Sequence, residues 1–405
     1  MYRKLLFLIL IAAIVPVSGA LADGHSIKIG AIFDLTGPTS DVGTSYAEGI
    51  RAYVDWVNGN GGIGGMEVEL LWEDYAYSVP NAEDLYTQFV EQGVVAFSGW
   101  GTGDSEALRG RIAEDQVPFV SASYSAALND PNDSAPYNFL VGTTYSDQLV
   151  IMLQYMMDQW SADGNDLAEM RVAFFHHDSP FGTSPLADGE AVAEMNGVAT
   201  VRVAMPRGAT DLSAELENAD NQLGGMTHII IQNVSSPAAL LIRNATEIGM
   251  SEFVQIGCLN WCSDEILVEL AGDAAEGVLG ALPFGPHTVP VEGQTDPAGW
   301  LEANGSSLAE TSLHFTQGWW TMAVILEGVR LVVESGDELT GANVKAALES
   351  LDGFSTGGVT SDTITFTPED HRGNRSLIIF AVDMGEWQAV SDVINLREMP
   401  MSDES

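Results

Sequence analysis

From residue 27 onward, short apolar runs alternate with segments of helical period, and this alternation restricts the fold more tightly than any other feature. Ile27–Phe33 is a continuous apolar run, and helical spacing follows through Tyr46, Ile50, Tyr53, Val54 and Val57. Turn glycines in residues 58–65 (NGNGGIGG) end that helix. A strand at 68–73, a helix at about 81–92 and a strand at 94–97 come next. The order β, α, β, α, β predicts a parallel sheet with right-handed crossovers.

Residues 97–125, FSGWGTGDSEALRGRIAEDQVPFVSASYS, read as a strand end, a glycine-rich turn, an amphipathic helix and a second short strand ending in hydroxyl residues. Two strand ends thus open onto one crevice, where helix N-termini and free N–H groups converge in an open α/β sheet. Thr102 or Asp104 can cap the helix, and Gly99, Gly101 and Gly103 allow close backbone approach. Trp100 stands beside the turn. An indole next to a helix N-terminus suits a small ligand with an apolar body and a polar or anionic head. The turn is not the G-x-G-x-x-G dinucleotide fingerprint.

With 405 residues and 46% hydrophobic content, the chain is long enough for two domains. Arg3, Lys4, an apolar run over 5–17 and Ala20-Leu21-Ala22 form the pattern of a secretory signal, with the mature chain starting near Asp23. The expected location is the periplasm. Fifteen basic residues stand against 57 acidic ones, a net charge of −42, so nucleic acid and anionic lipid are excluded as partners. An anionic ligand would have to be held by local dipoles. Cys258 and Cys262, in CLNWC, could form a small disulfide loop in an oxidising compartment.

The alternation resumes at Tyr145 and runs to about residue 283, which predicts a second α/β lobe. A long helix near 315–333 and a shorter one near 342–351 follow, then hairpin-like strands over ITFTPEDHRGNRSLIIFAVDMGEWQAV. Residues 397–405 read as a tail. Trp319 and Trp320 share a helix that must bury one face, so at least one belongs to the core. His176 and His177 read as a polar pair at a strand end, and His371 and Arg372 as structural.

KIGAIFDLTGPTSDVG, GIRAYVDWVNGNGGIGG, VPFVSASYS, AGDAAEGVLGALP and TFTPEDHRG together resemble the solute-binding proteins of branched-chain-amino-acid-type ABC transporters. The resemblance implies the type I periplasmic binding protein fold: two Rossmann-like lobes with parallel central sheets joined by a three-crossover hinge. It places residues 23–142 with 284–356 in the first lobe and 143–283 with 357–396 in the second. It also implies a small solute, a membrane permease as partner, no cofactor and a monomer.

In that family the turn at Trp100–Thr102–Gly103 and the strand end at Ser123–Tyr124–Ser125 would hold a carboxylate. Phe181, the residues around Ser235 and the CLNWC loop would face it from the second lobe. Amino-acid binders carry an acid in that loop to pair the ligand's ammonium, whereas this chain has Leu259, Asn260 and Trp261. The expected ligand is therefore an apolar or aromatic carboxylate clamped by Trp100, Tyr124, Phe181, Trp261 and, on one reading, Trp319. Amino acids or amides are the alternative, and a ligand-sensing receptor component is another. No G-x-S-x-G, H-E-x-x-H or G-x-x-x-x-G-K-[ST] motif supports an enzyme.

Overall fold

A computed structural model describes residues 26–395; the signal, with its cleavage site, and the tail lie outside the described residues. The first half folds as β1 (Ile27–Phe33), α1 (Ser40–Gly59), β2 (Val68–Asp74), α2 (Val79–Glu91), β3 (Ala96–Gly99), α3 (Thr102–Asp115), β4 (Phe119–Ser121) and β5 (Asn138–Phe139). Its five strands are parallel, in the order β2-β1-β3-β4-β5. The order reverses direction between β1 and β3, which creates a topological switch point there.

The second half contains α4 (Tyr145–Ala162), β6 (Arg171–His177), α5 (Pro180–Thr183), α6 (Leu186–Met195), β7 (Ala199–Met205), α7 (Ser213–Leu223), β8 (His228–Gln232), α8 (Ser235–Glu247), β9 (Gln255–Cys258), α9 (Glu265–Ala271) and β10 (Leu279–Leu282). Helices α10 (Thr295–Ala303), α11 (Leu313–Ser335) and α12 (Gly341–Leu348) then return to the first sheet, and β11 (Ser376–Asp383), β12 (Glu386–Ala389) and β13 (Ile394–Asn395) join the second. The second sheet runs β12-β11-β10-β9-β8-β6-β7 and repeats the switch between β6 and β8.

This sheet is mixed: strands β6–β10 are parallel, as expected, and the C-terminal strands expected to be hairpin-like add the antiparallel pairing. Strand β11 pairs antiparallel to β10, β12 and β13. A tight turn at Met384 and Gly385, both at positive φ, joins β11 to β12 and leaves no length for a helical crossover. The chain passes between the layers three times: from β5 to α4, after β10, and between α12 and β11.

Helix α11 lies across α1 at backbone contact. A Cβ on Gly49 would meet the Phe315 carbonyl oxygen at 1.9 Å, and one on Gly318 would meet the Tyr46 carbonyl oxygen at 2.1 Å. That crossing fixes which face of α11 is inward. Trp319 is buried among Tyr53, Trp56 and Phe315, and Trp320 donates its indole N–H to Gly293 O. Neither lines the cleft, so Trp319 is a core residue and not part of a clamp.

The two cysteines are free thiols. A 3-10 turn over Asn260–Cys262 turns the Cys262 Sγ back toward Ile231 O and Leu259 O, each at 3.5 Å. The expected disulfide is therefore not formed, because the turn satisfies the thiol on backbone carbonyls.

Candidate functional site

The crevice between the sheets is built from strand carboxyl ends. Thr39 follows β1, Tyr77 follows β2, Trp100, Gly101 and Thr102 follow β3, and Ala122 follows β4; across from them stand Phe181 after β6, Val234 at the start of α8 and Trp261 after β9. Tyr145, the first residue of α4, completes the lining. These side chains leave about 20 Å³ of space between them, little more than one water requires. Entry of a solute therefore requires the two walls to separate. A wider hollow of about 750 Å³ runs along Glu48, Arg51 and Trp300 and shares none of the crevice's lining residues.

Asp34 organises the first wall. Its carboxylate accepts from Gly37 N, Thr39 N and Thr39 Oγ1, at 2.6, 2.9 and 2.6 Å. Thr39 Oγ1 then accepts from Trp100 Nε1 at 2.9 Å, which fixes the indole plane. Gly101, not Thr102, is the N-cap of α3, and Asp104 accepts from its N–H. Thr102 is left as the first helical residue, its hydroxyl 2.7 Å from Ser123 Oγ. Burial pushes the Asp104 carboxyl up to about 7, although Tyr75 donates a hydrogen bond to it at 2.9 Å. Near neutral pH this acid is not fully ionised, which reduces its repulsion of an anion at the α3 N-terminus.

The walls meet through aromatic rings. Trp100 and Trp261 approach edge to face, their centroids 5.0 Å apart. Trp261 also stacks on Tyr124 at 6.2 Å and on His314 at 4.8 Å, and it donates its N–H to the Tyr145 hydroxyl at 2.9 Å. A second bridge is polar: Asp41 on α1 accepts from Ser236 N at 2.8 Å. Because the N-cap of α8 is Val234, which offers no side-chain acceptor, Asp41 caps α8 from the opposite lobe.

Of the residues read from sequence, Trp100, Thr102, Phe181 and Trp261 line the crevice. Ser123 lies one hydrogen bond behind Thr102, and Tyr124 lies behind Trp261. Gly103 faces Pro180 of the other lobe. Ser125 donates to Glu106 at 2.8 Å and Ser235 to Asp264 at 2.7 Å, so both hydroxyls are committed away from the lining. Asn260 is buried beside Trp261 and not in the lining, its backbone N–H bonded to Gln148. Thr39, Tyr77, Ala122 and Tyr145 escaped sequence reasoning, whereas Val234 lies in the segment around Ser235 that the resemblance indicated; for Tyr77, its place just past a strand end in DYAYS was the available signal. Among the described residues, no three His, Cys, Asp or Glu side chains are grouped to hold a metal ion.

Residues 26–386 match the family described as periplasmic binding protein. The chain belongs to that family. This periplasmic binding protein is similar in structure to a branched-chain amino acid ABC transporter protein from Thermus thermophilus with bound valine. The two are 26% identical with a TM-score of 0.84, over 92% of this chain and 97% of the other. An ABC transporter substrate-binding protein of Aeropyrum pernix is 27% identical with a TM-score of 0.81, over 93% and 97%. Among curated proteins, Leu/Ile/Val-binding protein homolog 7 of Brucella abortus (strain 2308) is 22% identical over 59% of this chain. The match spans 60% of that relative's length.

One buried charge pair in this periplasmic binding protein sits directly behind Trp261. His314 Nε2 donates to Asp264 Oδ2 at 2.9 Å, and Asp264 also accepts from Ser235 Oγ and Leu267 N. Burial alone would lower the His314 pKa, but the Asp264 bond outweighs it and leaves the ring's pKa raised. The Asp264 carboxyl is thus fully engaged by partners inside the protein.

Proposed function

We propose that this chain is the extracytoplasmic solute-binding component of an ABC importer, taking a small carboxylate with an apolar or aromatic body. The lobes, with the boundaries expected from sequence, close on the ligand, and the closed form is what a permease engages. The observation that carries this reading is the crevice lining: aromatic and small apolar side chains from both lobes over the α3 N-terminus, with no ionised side chain in the lining. The head group docks at Thr102 and the Ser123 hydroxyl behind it. The indoles of Trp100 and Trp261 then enclose the body, and water exclusion strengthens the head-group hydrogen bonds. The role is capture and delivery, without chemical conversion of the solute.

The likeness to the Thermus thermophilus protein with bound valine favours a second reading, in which the ligand is a branched-chain amino acid. Against it stands Asp264, which is fully buried and already paired with His314, so it offers no free carboxylate to an ammonium group. Calorimetric titration of the mature protein with benzoate, phenylacetate, hexanoate, leucine, valine and acetamide separates the readings. Binding of the carboxylates without amino groups is the expected result. Binding of leucine or valine alone would overturn it.

A further inference from the structure

Tyr77 reaches the crevice from a backbone that its residue type disfavours. Ala76 and Tyr77 both have left-handed φ, 52° and 56°, a strained conformation for non-glycine residues that persists only where the surroundings hold it. The surroundings do hold them. Asp74 Oδ1 accepts from Leu35 N at 3.0 Å and from Ala76 N at 2.9 Å, and Ser78 N donates to Tyr75 O at 3.1 Å. Gly37 lies close beneath, where a Cβ would meet the Ala76 backbone at 2.8 Å. The loop is therefore held by Asp74 and by the 35–37 segment in a shape that its own sequence resists.

What this strain achieves is the placement of one ring. Tyr77 lies against Gly101, where a Cβ would meet its Cε2 at 2.9 Å, so it closes one end of the crevice beside the α3 N-terminus. From there it crosses to the second lobe and meets His177 edge-on, with centroids 6.0 Å apart and planes at 77°. His177 in turn lies 5.8 Å from Phe181. Tyr77, His177 and Phe181 thus form a continuous wall that exists only while the lobes are together.

We propose that Tyr77 is a specificity-determining residue: held across the crevice by its strained loop, it stops the ligand's apolar body at the His177–Phe181 wall and sets its maximum length. The assignment rests on the carboxylate reading above. The chemical class it selects is a short monocarboxylate, and longer homologues are refused because a rigid ring stands where their chain would continue. Shortening the ring to a methyl group lets that chain run on. Each further methylene buried is worth about 0.8 kcal/mol, roughly fourfold in affinity.

The test compares the parent, Tyr77→Ala and Ala76→Gly against butyrate, hexanoate and octanoate by calorimetry, with small-angle scattering of each protein alone. In Tyr77→Ala the octanoate-to-butyrate affinity ratio should rise at least about tenfold over the parent, and the radius of gyration without ligand should increase as the clasp to His177 is lost. Ala76→Gly should keep the parent's ligand ratio and melt at a higher temperature, because glycine accepts the left-handed backbone. An unchanged affinity ratio in Tyr77→Ala would overturn the length assignment. If no acid binds to either protein, the carboxylate reading and the length assignment fall together, while scattering still decides whether Tyr77 clasps the lobes.

Discussion

Trp100 and Trp261 come from opposite lobes and touch edge to face, with ring centroids 5.0 Å apart. Each indole N–H is spent on its surroundings, Trp100 on Thr39 and Trp261 on Tyr145, so the rings present only carbon to the crevice. Trp100→Ala and Trp261→Ala should each weaken binding of the best probe carboxylate by more than about tenfold, since aromatic contacts add about 0.5–1.5 kcal/mol beyond burial. Titration calorimetry reads the outcome, with circular dichroism confirming the fold. Parent-like affinity in both variants would rule out the clamp.

Asp41 caps α8 across the lobe boundary, so its removal should act on closure more than on folding. Loss of an N-cap costs about 1 kcal/mol, which corresponds to roughly fivefold in the ratio of closed to open forms. Asp41→Ala should therefore show a larger radius of gyration in solution scattering and a modestly raised dissociation constant. A closed-to-open ratio equal to the parent's would show that the contact contributes nothing to closure.

Asp104 makes stability depend on pH in a definite direction. Its pKa is raised from 3.8 to about 7 by burial, so the native state holds a proton that the unfolded chain has lost. The contribution is fully present below about pH 4 and is lost as pH rises through about 7, an effect of up to ~4 kcal/mol. His228 acts oppositely: burial lowers it from 6.5 to about 4, and its contribution is present above 6.5 and lost as pH falls through 4. At fixed salt, urea unfolding of Asp104→Asn should show a smaller stability loss between pH 5 and pH 8 than the parent. Equal losses in the two proteins would mean that Asp104 titrates normally.

The α1–α11 crossing leaves no room for a side chain at Gly318, where a Cβ would lie 2.1 Å from a backbone oxygen. Gly318→Ala must separate two helices, and overpacking of this kind costs about 1–3 kcal/mol. Gly299→Ala on α10, where an added Cβ meets nothing within 4 Å, is the control and should be neutral or stabilising. Denaturant midpoints distinguish the two, and similar midpoints would show that the helices adjust freely.

The β/α alternation was legible because each element's hydrophobic period is local: β1, α1 and β2 can be marked from Ile27, Tyr46 and Val68 without reference to anything distant. Part of the first-lobe wall of the candidate site was legible for the same reason, as Trp100 and Thr102 sit in one turn between a strand and a helix; Thr39, Tyr77 and Ala122 on the same wall lie outside that turn and were missed. Tyr145 was not legible either, because it becomes a neighbour of Trp100 only when residues far apart in sequence fold onto each other. Spacing alone allowed a bond between Cys258 and Cys262, and a single 3-10 turn decided against it.

By itself, the sequence determined the succession of strands and helices, the places where strand ends open, and a net charge of −42. Periodicity, turn residues and charge act over a few neighbouring positions or over the whole chain, so they can be read without a fold. Tertiary structure alone decided that Trp319 is core, that Ser125 and Ser235 bond elsewhere, and that Tyr77 crosses the crevice from a left-handed loop. Those outcomes depend on which backbone lies against which, as at Gly318 and Gly37, and contact between distant segments leaves no periodic trace in the chain.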